Sequence, residues 1–174
     1  KSIHGPVALL LHQNENAQQQ LKSILFATNY LNVIEVRPHA LNQTGRAMGQ
    51  MIGGNLSVLV NQIGTSSFPA LQNSILFLED LDEYLYHIDR MMIQLDRIGV
   101  FQKVKGVVVG YMSGMHDNSI PFGKTAYEII FSVLSKYSIP VAFGFPIGHE
   151  ENNQPVVLGL QMCLEVTQEV ARLS

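Results

Sequence analysis

A single cysteine, Cys163, occurs in the 174 residues, so no internal disulfide framework is available and a reducing compartment suits the chain. Charged residues make up only 14%, with a formal net charge of −3. Lys and Arg nowhere gather into a run. This argues against a nucleic-acid partner, because neutralising phosphates needs clustered cations. No apolar run approaches the ~20 residues of a membrane span, so no membrane partner is expected. PVALLL, residues 6–11, lacks the longer apolar core and small-residue cleavage site of a signal peptide. Internal repeats and low-complexity segments are absent. The histidines, His4, His12, His39, His87, His116 and His149, show neither HxxxH nor HxH spacing, so the sequence points to no metal and no cofactor.

What is present is a globular composition, 47% hydrophobic. A chain of this length buries roughly 70% of its unfolded surface. The first residue is Lys1 rather than Met, and the sequence is expected to be a piece of something longer.

Residues 6–11 read as a buried strand, and 15–31 carry the apolar spacing of a helix. VIEVRP, 33–38, alternates like a strand and stops at Pro38; 45–54 is a further strand loosened by glycines. Asn55 is placed to cap a short helix that Gly64 ends. The run 74–79 is a buried strand, 86–98 a helix closed by Gly99, and 104–112 a valine-rich parallel strand. Residues 123–137 form an amphipathic helix and 139–143 a strand, with 155–158 and 160–166 as a closing antiparallel pair around Gly159. Strand and helix alternate through the middle, which predicts an α/β fold: a parallel βαβαβ core with right-handed crossovers and antiparallel flanks.

Glu79 ends the apolar run 75–78, where the carboxyl ends of parallel strands meet ligands; a solvated loop acid is the plain alternative. His149 follows FGFPIG, whose glycines and proline pin an unusual backbone path to the same edge. Most loop histidines are merely solvated. Opposite a strand-end glutamate, however, this one suits the general-base half of a hydrolytic triad, with the acid fixing its tautomer. No convincing nucleophile accompanies them. Ser113 in GYMSG lacks the spacing of a nucleophile elbow, Cys163 alternates as an ordinary strand residue, and Ser57 reads as a local cap. His116–Asp117 is a plausible loop pair and little more. Gly53–Gly54–Asn55, opening a helix, could hold an anion on free N–H groups, although a capped turn explains the same residues.

GGNLSVL (53–59), ILFLEDLDEYLYHIDRMMIQL (75–95), VKGVVVG (104–110) and PVAFGFPIGH (140–149) together resemble the C-terminal half of the LD-carboxypeptidases, serine peptidases that include the microcin C immunity hydrolases. SIHGP, 2–6, resembles the segment near the end of that family's N-terminal domain. Leu85 stands where a proline is common before the tyrosine matching Tyr86. The resemblance implies a swivelling β/β/α domain at 32–174, preceded by a remnant of the N-terminal domain and linker at 1–31. It puts the family's catalytic glutamate on Glu79 and histidine on His149, and it leaves the serine outside this chain. It further implies a cytoplasmic enzyme of cell-wall recycling that cleaves a terminal D-alanine from murein tetrapeptides, with Gly54 and Asn55 as candidates for gripping the substrate carboxylate. The chain alone is then expected to be inactive, and its partners to be a muropeptide, the missing N-terminal domain and a second copy in a homodimer. A peptidyl-nucleotide hydrolase and a non-catalytic binding module on the same scaffold are the alternatives. Truncation also predicts exposed apolar side chains over 6–31, among Leu9, Leu11, Ile24 and Leu25.

Overall fold

A computed structural model describes residues 1–8, 11, 14–26 and 33–174, and among them the apolar periodicities settle into thirteen elements. In chain order these are β1 Ser2–His4, α1 Glu15–Phe26, β2 Ile34–Val36, β3 Gly45–Asn55, α2 Leu56–Asn61, β4 Ser74–Leu81, α3 Leu85–Arg97, β5 Gly106–Ser113, α4 Ala126–Leu134, β6 Val141–Phe143, β7 Val156–Leu158, β8 Gln161–Val166 and β9 Ala171–Leu173. Seven strands make one sheet in the order β2-β9-β8-β3-β4-β5-β6. β3 to β6 run parallel, and β8, β9 and β2 extend the sheet antiparallel. The parallel core with antiparallel flanks expected from the sequence is the observed architecture.

β4 lies at the centre of the sheet, covered on both faces. Successive side chains alternate. Leu76 and Leu78 join Ile88, Met92 and Leu95 of α3 and Ile130 of α4 on the helical side. Ile75 and Phe77 join Val108, Met162, Leu164 and Phe145 on the other. Each fully buried Leu, Ile or Phe contributes about 1.5–3 kcal/mol, so the sheet's position is strongly fixed. α3 buries the stripe predicted for it and ends before Gly99 at φ 77°. α4 starts later and ends sooner than 123–137. Thr125 caps it in a reciprocal box with Glu128, which fixes the start, and the helix stops at Leu134.

Several expectations are corrected. Residues 6–11 do not form a strand: Pro6, Val7, Ala8 and Leu11 lie outside any, and Leu9 and Leu10 fall outside the described residues. The strand lies earlier, at β1, because Ser2–His4 pairs antiparallel with β7. β7 and β8 are not a hairpin. Gly159, at φ 83°, turns the chain so that β7 pairs with β1 while β8 pairs with β3 and β9. Alternation gave each strand its faces but could not choose its neighbour. α2 stops at Asn61, ahead of Gly64. The helix expected over 15–31 is seen as Glu15–Phe26, its first turn capped by Asn14 Oδ1 accepting from Ala17 N–H at 2.9 Å; 27–31 lie outside the described residues. Apolar exposure is present there: Leu25 is 56% and Phe26 82% exposed, while Leu11 and Ile24 are half-buried. No helix among the described residues is long and apolar enough to cross a membrane.

Candidate active site

The parallel strands deliver their carboxyl ends to one edge, and the site is assembled there. Glu79 shares the face of Ile75 and Phe77, so its side chain enters the β-flanked side of the sheet. A register shift between Leu78 and Asp80 breaks the β4–β5 ladder at Glu79. Opposite the break, Gly110 lets the backbone of Ile147 come close; a Cβ there would collide with the Ile147 carbonyl and Phe77. Tyr111 N–H donates to that same carbonyl at 2.9 Å, tying the loop after β6 to the tip of β5.

That loop presents His149. Its Nδ1 lies 2.7 Å from Glu79 Oε2; the imidazole is 44% exposed and the carboxylate is fully buried. A carboxylate only accepts, so Nδ1 carries the proton and Nε2 is left as the accepting nitrogen. Gly148 is required beside them: its φ is 132°, and a Cβ would stand 3.0 Å from Glu79 Oε2. Burial pushes the Glu79 carboxyl above its ordinary range, and the hydrogen bond and charge of His149 pull the other way. Oε1 of Glu79 is buried with no hydrogen-bond partner among the described residues. The arrangement can hold an imidazole in one tautomer and accept a proton at Nε2.

A cavity of about 360 Å³ opens beside the pair, lined by His4, Val7, Leu81, His149, Glu150 and Asn153 among others. Residues 4–7 thus contribute a wall that sequence reasoning missed. His4 packs edge-on against Phe77, ring centroids 5.1 Å apart, and burial, then the charge of His149, lowers its pKa. The only signal for it was its place in SIHGP.

Asp80 was also missed as a distinct functional unit. It is buried and faces α2, where its carboxylate accepts from Asn55 Nδ2 at 2.7 Å, Ser57 N–H at 3.0 Å and Leu81 N–H at 2.9 Å. Asn55 caps the helix as expected, its Oδ1 accepting from Val58 N–H at 3.1 Å and Ser57 Oγ at 2.7 Å. Gly54 and Asn55 do stand at the right edge, Asn55 in register with Glu79. The helix-start N–H groups of Ser57 and Val58 are bonded within the chain, to Asp80 and Asn55, so an anion grip here would rest on Gly54 and Asn55 themselves.

The remaining candidates separate from the site. Ser113 ends β5 in register with Leu81, its Oγ buried without a partner among the described residues, and it does not line the cavity. Cys163 lies on β8 and accepts from Arg46 Nε at 3.4 Å. His116 does not pair with Asp117: Nε2 meets Asp82 Oδ1 at 2.5 Å, and the Asp117 carboxylate accepts from the N–H groups of Asn118 and Phe122. Among the described residues no three His, Cys, Asp or Glu converge as a metal cage.

This fold and this edge define a class, the LD-carboxypeptidases. Residues 48–164 match the family model of the LD-carboxypeptidase C-terminal domain, more than half of the chain, and the chain belongs to that family. It is 30% identical over 154 residues to the "Probable murein peptide carboxypeptidase" of Bacillus subtilis, covering 86% of this chain and 47% of that protein. It is also 30% identical over 125 residues to the microcin C7 self-immunity protein MccF of Escherichia coli, covering 70% of this chain and 35% of that protein. Among solved structures, the muramoyltetrapeptide carboxypeptidase of Oxalobacter formigenes superposes with a TM-score of 0.85 at 25% identity, over 99% of this chain and 60% of that one. The chain therefore spans about half the length of the curated relatives it matches.

Proposed function

We propose that the chain is the C-terminal part of a serine carboxypeptidase that releases terminal D-alanine from murein tetrapeptides in the cytoplasm, as a step of cell-wall recycling. One observation carries the reading: a fully buried Glu79 carboxylate bonds Nδ1 of a half-exposed His149 at 2.7 Å, at the mouth of a cavity. Glu79 holds the imidazole and stabilises its charged form. His149 Nε2 takes the proton of a serine hydroxyl as that oxygen attacks the amide carbonyl, then returns it to the leaving amine; water later hydrolyses the acyl-enzyme. The serine belongs to a segment outside these residues. Residues 1–31 are the tail of that preceding domain and its linker, and 32–174 are the C-terminal domain. The half-length match to the relatives supports a further segment that carries the serine. The exposed Leu25 and Phe26 are suited to cover by the preceding domain or a second copy.

The test is complementation. The chain is fused to, or mixed with, the N-terminal half of a murein peptide carboxypeptidase, and D-alanine release from muramoyl tetrapeptide is followed. Activity is expected only in the combination, because losing a nucleophile costs on the order of a millionfold. Comparable turnover by the lone chain would overturn the missing-serine assignment. The similarity to MccF favours one second reading, a peptidyl-nucleotide substrate. Turnover of an acyl-sulfamoyl adenylate, with the tetrapeptide untouched, would establish it instead.

A further inference from the structure

Asn153 lies four residues beyond His149 and is only 7% exposed. Its Oδ1 accepts the N–H of Gly148 at 3.1 Å, which holds the residue next to the histidine. A backbone N–H can only be met by the amide oxygen, so the NH2 group is turned to the other side. Nδ2 has no hydrogen-bond partner among the described residues. Nor is it sealed in, as the orphaned Asn42 Nδ2 and Ser113 Oγ are. The residue lines the cavity that His149 opens on, so this amide donor is accessible from there. Asn14 Nδ2, on the same wall, is already used: it donates to the Glu151 carbonyl at 2.8 Å.

We infer that Asn153 is a substrate-binding residue whose side-chain NH2 donates to a carbonyl oxygen of a bound peptide, while its oxygen holds Gly148 and, through it, His149. A donor at the cavity wall that no acceptor of the described residues meets is free to pair with a ligand that supplies one. Glu150 and Glu151, on the same wall, favour a neutral carbonyl over a free carboxylate at this point. The inference rests on the reading above in that His149 works on a peptide amide.

The experiment is a titration of the isotope-labelled chain, followed by NMR at the Asn153 side-chain NH2 and the Gly148 amide, with N-acetyl-L-lysyl-D-alanine and its C-terminal amide as probes. Both probes should shift the NH2 signals saturably. N153D retains an acceptor for Gly148 N–H but loses the donor; it should keep the Gly148 signal in place and weaken binding by about tenfold, the effect of one such bond. For the C-terminal amide probe, which carries no carboxylate for the new charge to repel, a merely structural Asn153 would bind equally well as aspartate, and that result, or NH2 signals unmoved by either probe, overturns the inference. A shift with the free acid alone overturns the carbonyl assignment. Failure of the proposed reaction appears separately, as absent D-alanine release by the complemented protein with these shifts intact.

Discussion

Glu79 and Asp80 are adjacent carboxylates, both essentially buried, at the tip of the same strand. Strand alternation sends them to opposite faces of the sheet. Asp80 accepts three donors and so ties β4 to the start of α2. Glu79 holds one half-exposed imidazole and keeps an oxygen without a partner among the described residues. The same chemical group at nearly the same depth thus ties a helix to the sheet on one face and holds an imidazole beside a cavity on the other. Burial alone does not separate the two roles; the supply of local donors does. Saturation by backbone and cap groups leaves a carboxylate nothing further to do, whereas partial satisfaction leaves it coupled to a mobile proton.

The contrast breaks most visibly at Glu79→Gln. In the complemented enzyme this should lower kcat by about 10⁴-fold, the scale of disabling the orienting acid of a triad, because the amide no longer enforces the Nδ1–H tautomer. Thermal stability should change little, since the isosteric amide keeps an oxygen for His149 Nδ1 and fills the same space. A loss under tenfold would show that Glu79 does not orient the base.

Asp80→Ala should do the reverse. It leaves Ser57 N–H and the Asn55 amide without their acceptor at a buried junction, with an expected loss of about 3 kcal/mol in chemical denaturation. Unchanged stability would mean that water replaces the carboxylate, and the structural half of the comparison would fail.

The legibility of this edge in the sequence follows the same division. The run 75–78 and its closing acid marked Glu79, and the glycines before His149 marked a constrained loop, because buried strands and special backbone angles leave local traces. Asp80 left none that distinguishes it from Glu79, since its role depends on the approach of α2 from 24 residues earlier, where Leu56 begins. His4 and Asn153 were equally silent. One reaches the site only through the pairing of β1 with β7, and the other acts through an amide whose orientation is fixed by Gly148. The misassigned hairpin at Gly159 has the same cause: periodicity reports which face is buried, not which strand lies beside it.

The pH dependence of stability sharpens the comparison further. Burial pushes both carboxyls above their ordinary values of 4.5 for Glu79 and 3.8 for Asp80. The folded chain therefore holds these protons more tightly than the unfolded chain. The stability they contribute is full below those ordinary values and is lost as pH rises through the raised folded values. Asp80→Asn removes one of the two titrations, so its unfolding free energy should fall less steeply across that window than that of the unaltered chain. Parallel curves would mean that Asp80 ionises in the folded state as it does unfolded.

The smallest effect is expected at Ser57→Ala. The Ser57 hydroxyl donates to Asn55 Oδ1, but that oxygen also accepts Val58 N–H, and the bond from Ser57 to Asp80 comes from the backbone. Alanine keeps the backbone donor and improves helix propensity in the first turn of α2. The net change should stay within about 0.5 kcal/mol by denaturant titration. A loss approaching that of Asp80→Ala would show that the hydroxyl, rather than the carboxylate, anchors α2 to the sheet, and the junction would have to be redrawn around the serine.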